Sequence, residues 1–311
     1  MAMIEVRGLS KRFKKTEALK GVSFDIEQGD IYGYIGPNGA GKTTTIKILA
    51  TLLLPTNGEA FIDGIDVIRD PMSVRRIIGY MPDFFGVYDE MKSWEYLDFF
   101  AACYRIPKHK RVGIIDDVLE LTDLSNKKEA FVHELSRGMK QRLCLARCLV
   151  HDPKVLLLDE PASGLDPRAR IELRELLKEL GRMGKTILVS SHILTELADF
   201  CNTVGIIEAG EMVLSGRIET ILREIRGARV VKIKIKDREE EAKEILLALE
   251  KVQECVISAP CSLTINFTGE SDDMPDLVDV LKEAGIRVTS FSEEETDLED
   301  LFMRVTKGIV T

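Results

Sequence analysis

A chain of 311 residues, 45% apolar and 31% charged, carries enough nonpolar matter for a packed core and too much for disorder. With 52 acidic against 43 basic side chains its net charge is −9, which argues against a general nucleic-acid binder. The longest apolar runs, residues 48–54 and 155–158, fall far short of the ~18–20 residues that cross a bilayer, and the opening residues 1–7 read as a charged strand rather than a signal peptide.

In chain order, apolar clusters between Gly and Asp breaks predict strands at 4–7, 21–26 and 31–35. A glycine-rich turn runs from Gly36 to Gly41, followed by helical character over 43–54 that is expected to stop at Pro55. Another strand is predicted at 59–62. In 93–104, Trp94, Leu97, Phe100 and Ala101 fall on one helical face, and 114–121 reads as a second helix of this middle region. Ser136 opens a helix in which Met139, Leu143, Ala146 and Leu149 share a face. The run 155–158 has the continuous apolarity of a strand buried on both faces, and 186–189 is a second such strand. Between them Asp166 and Pro167 read as cap and first turn of a helix closed by Gly181 and Gly184. Strand, helix and strand with apolar runs imply a parallel sheet covered by helices.

The texture changes near residue 220. Residues 230–235 alternate as an edge-type strand, 239–251 and 275–284 read as helices, and 255–258 and 263–267 as strands. A last strand opens at 285–288 and a helix closes the chain at 298–305, so the order is the βαββαβ of a small α+β sandwich. Charge changes at the same place. Residues 1–220 hold 30 basic and 32 acidic side chains, whereas 221–311 hold 13 and 20. Two domains are therefore expected, 1–220 and 221–311. The six cysteines form no secreted-domain framework and read as reduced thiols. Cys144 and Cys148, four apart on a helix, are expected to be core thiols rather than metal ligands.

Gly36-Pro37-Asn38-Gly39-Ala40-Gly41-Lys42-Thr43 fits G-x-x-x-x-G-K-[ST] between a strand and a helix. Glycines let backbone amides curl around phosphates, and the helix start adds the positive end of a dipole. Lys42 supplies a point charge for the outer phosphates and the Thr43 hydroxyl is a hard ligand for Mg²⁺. A GTPase would carry Asn-Lys-x-Asp; the nearest string, Asn126-Lys127-Lys128-Glu129, lacks the Asp. After four apolar residues come Asp159 and Glu160, which on a strand point to opposite sides and so take different roles.

With these residues the chain resembles the ATP-binding cassette of ABC transporters over residues 1 to about 220. Leu135-Ser136-Arg137-Gly138-Met139 is similar to the family's Leu-Ser-Gly-Gly-Gln signature, and Ser163-Gly164-Leu165-Asp166 to its D-loop. His192 stands where the family has a switch histidine, and Asp83 where many cassettes have the Q-loop glutamine. The departures at Asp83, Arg137 and Met139 resemble the drug- and lipid-exporting, ABC-2-like branch. The resemblance implies a P-loop NTPase fold of mixed sheet core plus helical subdomain, about 84–150, with an accessory C-terminal domain.

It further implies an ATPase in which two cassettes, as homodimer or heterodimer, meet head to tail around two ATP molecules. Phe13 would stack on adenine with Ala18 near the base, and Gly36 to Thr44 would hold the phosphates. Ser136 and Gly138 of the other chain would cover the γ-phosphate, and Asp166 would link the two sites. Mg²⁺ would be held by Thr43, Asp159 and Asp83, Glu160 would be the general base and His192 would sense the γ-phosphate. The implied partner is a separately encoded transmembrane permease, which would hold the cassette on the inner face of the cell membrane. Phe84, Phe85 and Tyr88 read equally as part of the partner's groove or as core, whereas Trp94 reads as core. Two alternatives remain from the residues themselves, a soluble cassette of translation or repair and a regulatory binding module. One phosphate loop, and only 92 residues between Thr43 and Ser136, fit neither the two-cassette translation type nor the coiled-coil repair type.

Overall fold

The computed structural model describes residues 2–294, apart from 85, 87, 194–196, 198, 226–228 and 270. The chain divides into two compact units, one running to Ile218 and the other starting at Glu219. In the first, β1 (Ala2–Arg12), β2 (Glu17–Glu27), β4 (Asn57–Ile62) and β5 (Ile65–Asp66) form an antiparallel sheet in the order β2-β1-β4-β5. A second sheet has the order β10-β9-β3-β8-β7-β6, from β3 (Ile31–Ile35), β6 (Ile78–Met81), β7 (Val155–Leu158), β8 (Thr186–Ser191), β9 (Thr203–Glu208) and β10 (Glu211–Arg217). Its pairs are parallel except β9 with β10. Every residue of β3, β7, β8 and β9 is buried, as expected of strands covered on both faces.

Register decides where chemistry can sit. Met81 is level with Leu158, Leu158 with Val189, and Ile35 with Ser191. The chain therefore leaves the carboxyl ends of four neighbouring strands together, carrying Gly36, Asp83, Asp159 and His192 to one edge, where ligands of open parallel sheets bind. Helix α1 (Lys42–Leu49) follows β3, α2 (Pro71–Ile77) precedes β6, and α3 (Ser93–Cys103), α4 (Lys108–Leu121) and α5 (Arg137–Leu149) make up the middle region before β7. Helix α6 (Pro167–Arg182) joins β7 to β8.

Four sequence expectations are corrected. Helix α1 stops at Leu49 rather than Leu54: Thr51 turns left-handed at φ 62°, and Leu52 and Leu54 lie exposed in the loop beyond it. In α3 the buried side chains are Ser93, Tyr96, Leu97 and Ala101, with Trp94 only half-buried. In the second unit α8 (Glu239–Leu247), which follows α7 (Ile218–Ile225), ends four residues earlier than its expected limit at 251.

The fourth correction concerns β11 (Arg229–Ile235). Its sheet has the order β12-β13-β11-β14, with β12 (Val252–Ala259), β13 (Ser262–Phe267) and β14 (Val288–Glu294), so β11 is interior rather than an edge. Val231, Ile233 and Ile235 are buried with Leu263, Ile265 and Phe267, while Lys232 and Lys234 face solvent. Helix α9 (Met274–Glu283) adds Leu277 and Leu281 to that core. The order β11-α8-β12-β13-α9-β14 is the expected βαββαβ. The helix expected at 298–305 lies outside the described residues.

Candidate active site

The loop between β3 and α1 wraps tightly. Gly41 sits at φ 111°, and a Cβ there would fall 2.7 Å from the Ala18 carbonyl oxygen, so only glycine fits. That contact places Ala18 beside the loop. Phe13 lies 44% exposed on the β1–β2 hairpin, with the Lys11 ammonium 5.2 Å from its ring centroid. Lys42 is buried; its Nζ donates to the carbonyls of Gly36 (2.6 Å) and Pro37 (3.3 Å) and lies 3.3 Å from Glu160 Oε1. Pro37 to Thr44, together with Asp83 and Glu160, line a cavity of about 180 Å³.

The two acids lie beyond the end of β7 rather than on the strand, and both reach the phosphate loop, Asp159 through Thr43 and Glu160 through Lys42. Asp159 is buried, and its Oδ1 accepts from Ser190 Oγ at 2.8 Å and Thr43 Oγ1 at 3.1 Å. Burial raises its pKa, the charges of Asp83 and Glu160 add to that rise, and the two hydroxyl bonds oppose it. Glu160 faces the cavity from a left-handed backbone, φ 48°, with its amide donating to Ser190 Oγ at 2.9 Å. Its Oε2 pairs with His192 Nδ1 at 2.8 Å. Ser190, which follows the apolar run Ile187 to Val189 near the end of β8, thus braces both acids. Sequence reasoning passed over it, although its position two residues before His192 was a usable signal.

Ser136, Gly138 and Asp166 lie elsewhere. They line a second cavity, about 230 Å³, that shares no residue with the first. Ser136 is the cap of α5, its Oγ accepting from the Met139 amide at 3.3 Å, and Asp166 caps α6 by accepting from the Ala169 amide at 3.0 Å. The amide ends of α5 favour an anion at this cavity.

The donors around Asp159 fit a hard divalent cation: a hydroxyl and carboxylates, with crowded negative charge that a cation would relieve. No three His, Cys, Asp or Glu side chains among the described residues converge enough to cage a metal by themselves. Cys144 and Cys148 are buried free thiols.

Comparison with known proteins shows the family of the chain. The ABC transporter family model matches residues 19–163, and a model described as the C-terminal domain of DrrA1-3-like ATP-binding proteins matches 216–306. An uncharacterized ABC transporter ATP-binding protein of Synechocystis is 35% identical over 302 residues, covering 96% of this chain and 81% of that one. The Nod factor export ATP-binding protein I of Rhizobium meliloti is 34% identical over 97% of this chain and 88% of its own length. The daunorubicin resistance ATP-binding protein DrrA3 of Streptomyces coeruleorubidus is 31% identical over 97% and 95%. Among solved structures, an ATP-binding subunit of an ABC transporter has a TM-score of 0.65 at 30% identity, covering 72% of this chain and 93% of that one. A dimeric cassette in a post-hydrolysis state with ADP and phosphate has a TM-score of 0.63 at 27% identity, covering 70% and 99%. The chain belongs to the ATP-binding subunits of ABC transporters and is an ATPase.

Proposed function

We propose that this chain powers an exporter as one of a head-to-tail pair of cassettes that closes on two ATP molecules. The observation that carries the reading is the division of the site between two cavities of one chain. The phosphate loop, Asp83 and Glu160 are kept apart from Ser136, Gly138 and Asp166. A second chain related by two-fold symmetry brings its Ser136 turn over the first chain's loop, and the reverse. The similarity to a dimeric cassette supports the pairing, and the export relatives support the direction. A homodimer and a heterodimer both satisfy it.

In that pair Phe13 and Ala18 receive the adenine, and the amides of Gly36 to Thr44 hold the phosphates. Lys42 exchanges its contacts with the Gly36 and Pro37 carbonyls for the outer phosphates. Thr43, Asp159 and Asp83 would hold Mg²⁺, whose charge would offset that of the phosphates. Glu160, oriented by His192, takes the proton of the attacking water. Ser136 and Gly138 of the facing chain present helix-end amides to the γ-phosphate. Glu160→Gln keeps the shape and removes the base, so turnover is expected to fall at least about a hundredfold with ATP binding retained. Undiminished turnover overturns the assignment.

The membrane subunit docks in a groove of about 500 Å³ on the first unit, whose walls include Met72, Arg75, Phe100, Tyr104, Arg105 and Arg147. Apolar patches between guanidinium groups suit an amphipathic helix with acidic residues. Phe84, 90% exposed, and Tyr88 stand outside the described lining, and Phe85 is outside the described residues. No helix among the described residues is long and apolar enough to cross a membrane. In this reading the partner supplies the spans and holds the chain at the cytoplasmic face. Nucleic acid has no part in this reading. An affinity-tagged chain is expected to co-isolate an integral membrane protein from detergent-solubilised membranes. Charge reversal at Arg75 and Arg105 should abolish that recovery, and recovery unaffected by the reversal moves the docking site elsewhere.

A further inference from the structure

Arg137 occupies a signature position where the family has glycine, and the reading above leaves it idle. A cation in the first turn of a helix is electrostatically misplaced, because the free amides there already carry positive charge. The side chain of Arg137 instead turns away to the loop after Glu160. Its Nη2 donates to the Ser163 carbonyl at 3.0 Å. The guanidinium lies against Gly164, φ 68°, where a built Cβ would collide with it, so this contact needs glycine. The Ser163 amide in turn donates to the Glu160 carbonyl at 3.0 Å. One side chain and one residue thus connect the Ser136 turn to Glu160.

We infer that Arg137 is a positioning residue that ties the Ser136–Gly138 turn, serving the facing chain's ATP, to Glu160, serving its own. Closure at one site then sets the carboxylate at the other. The inference rests on the head-to-tail pairing proposed above. Arginine suits the task, since its planar fork can meet a carbonyl while lying against a bare Cα; lysine offers donors without the plane.

The test is steady-state ATP hydrolysis by the purified full chain carrying Arg137→Ala, Arg137→Lys, Gly164→Ala or both alanines. Arg137→Ala is expected to lower kcat about tenfold while KM for ATP stays within about twofold. Arg137→Lys should regain part of the loss. Gly164→Ala should reproduce it by expelling the guanidinium, and the double variant should be no worse than the poorer single variant, as for residues acting through one contact. Because Arg137 is exposed, its truncation should leave the thermal midpoint near wild type. An unchanged kcat for Arg137→Ala, a fully additive double variant, or a kcat loss that merely tracks a lowered midpoint overturns the inference. Light scattering of the Glu160→Gln chain with ATP tests the pairing separately. Absence of the ATP-dependent dimer removes the reading and the inference together, whereas a dimer combined with unaltered Arg137→Ala kinetics removes only the inference.

Discussion

Asp159 shows how one side chain can serve the site and burden the fold. It is buried beside two other acids, and the bonds from Ser190 and Thr43 offset that arrangement only in part, since its pKa remains above the ordinary carboxylate range. The sign of the pH effect follows. Between the ordinary value and the raised one the folded chain keeps a proton that the unfolded chain has released. Stability contributed by the protonated form is therefore lost as pH rises through the folded value, and near neutral pH the ionised side chain opposes folding. Asparagine retains an acceptor oxygen for Ser190 and Thr43 and carries no charge. Asp159→Asn should therefore raise the thermal midpoint of the nucleotide-free protein near neutral pH while abolishing ATP hydrolysis. The gain should shrink as pH falls to about 4, where free carboxylates protonate. A midpoint that stays level or drops near neutral pH contradicts the account. Glu160 carries a different burden, a left-handed backbone that is uncommon for a side chain of its kind and is held by the Ser190 hydroxyl.

At the scale of elements, legibility followed how local the cause was. The phosphate loop, the buried run of β7 and the caps at Ser136 and Asp166 each depend on a few neighbouring residues, and each lies where the sequence placed it. Strand β6 is only four residues, two of them Gly79 and Tyr80, and becomes a strand by pairing with β7, more than seventy residues away. Strand β10 carries mixed burial and is fixed by pairing with β9, so neither showed a usable period. Alternation misled in β11. Lysines at 232 and 234 reveal that one face of the sheet is wet, and say nothing about whether an edge is free. The leucines after α1 misled in the other direction, because apolarity without a continuing buried face does not prolong a helix. The resemblance supplied which residues are expected to meet a nucleotide. It did not extend to Ser190 or to the Arg137 contact with Ser163, both of which act through packing between elements distant in sequence.

For the whole molecule, the charge asymmetry and the site belong to different units. Most of the acidic excess lies in the last 91 residues, whose described part has its own apolar core, while every proposed site residue lies before residue 193. Function at this scale turns on whether one chain or two complete an ATP site, and two defective chains can decide it. Under the proposed pairing, Lys42→Ala removes the cation that serves a chain's own nucleotide, whereas Ser136→Ala removes a group that serves the facing chain's nucleotide. Neither variant alone can build an intact site. In a mixed pair, however, the intact loop of the Ser136→Ala chain faces the intact Ser136 turn of the Lys42→Ala chain, giving one complete site of two. Equal mixing with random pairing makes about half the pairs mixed, so turnover should recover to at most about a quarter of wild type, and to less than that where closure at the defective site is needed to set Glu160 at the complete one. Recovery should peak at equal amounts and fall away on either side when separately purified variants are titrated against each other. If each chain completed its own site, mixtures would instead follow the weighted mean of the two parents at every ratio. That straight line would overturn the head-to-tail pairing, whatever the single variants do alone.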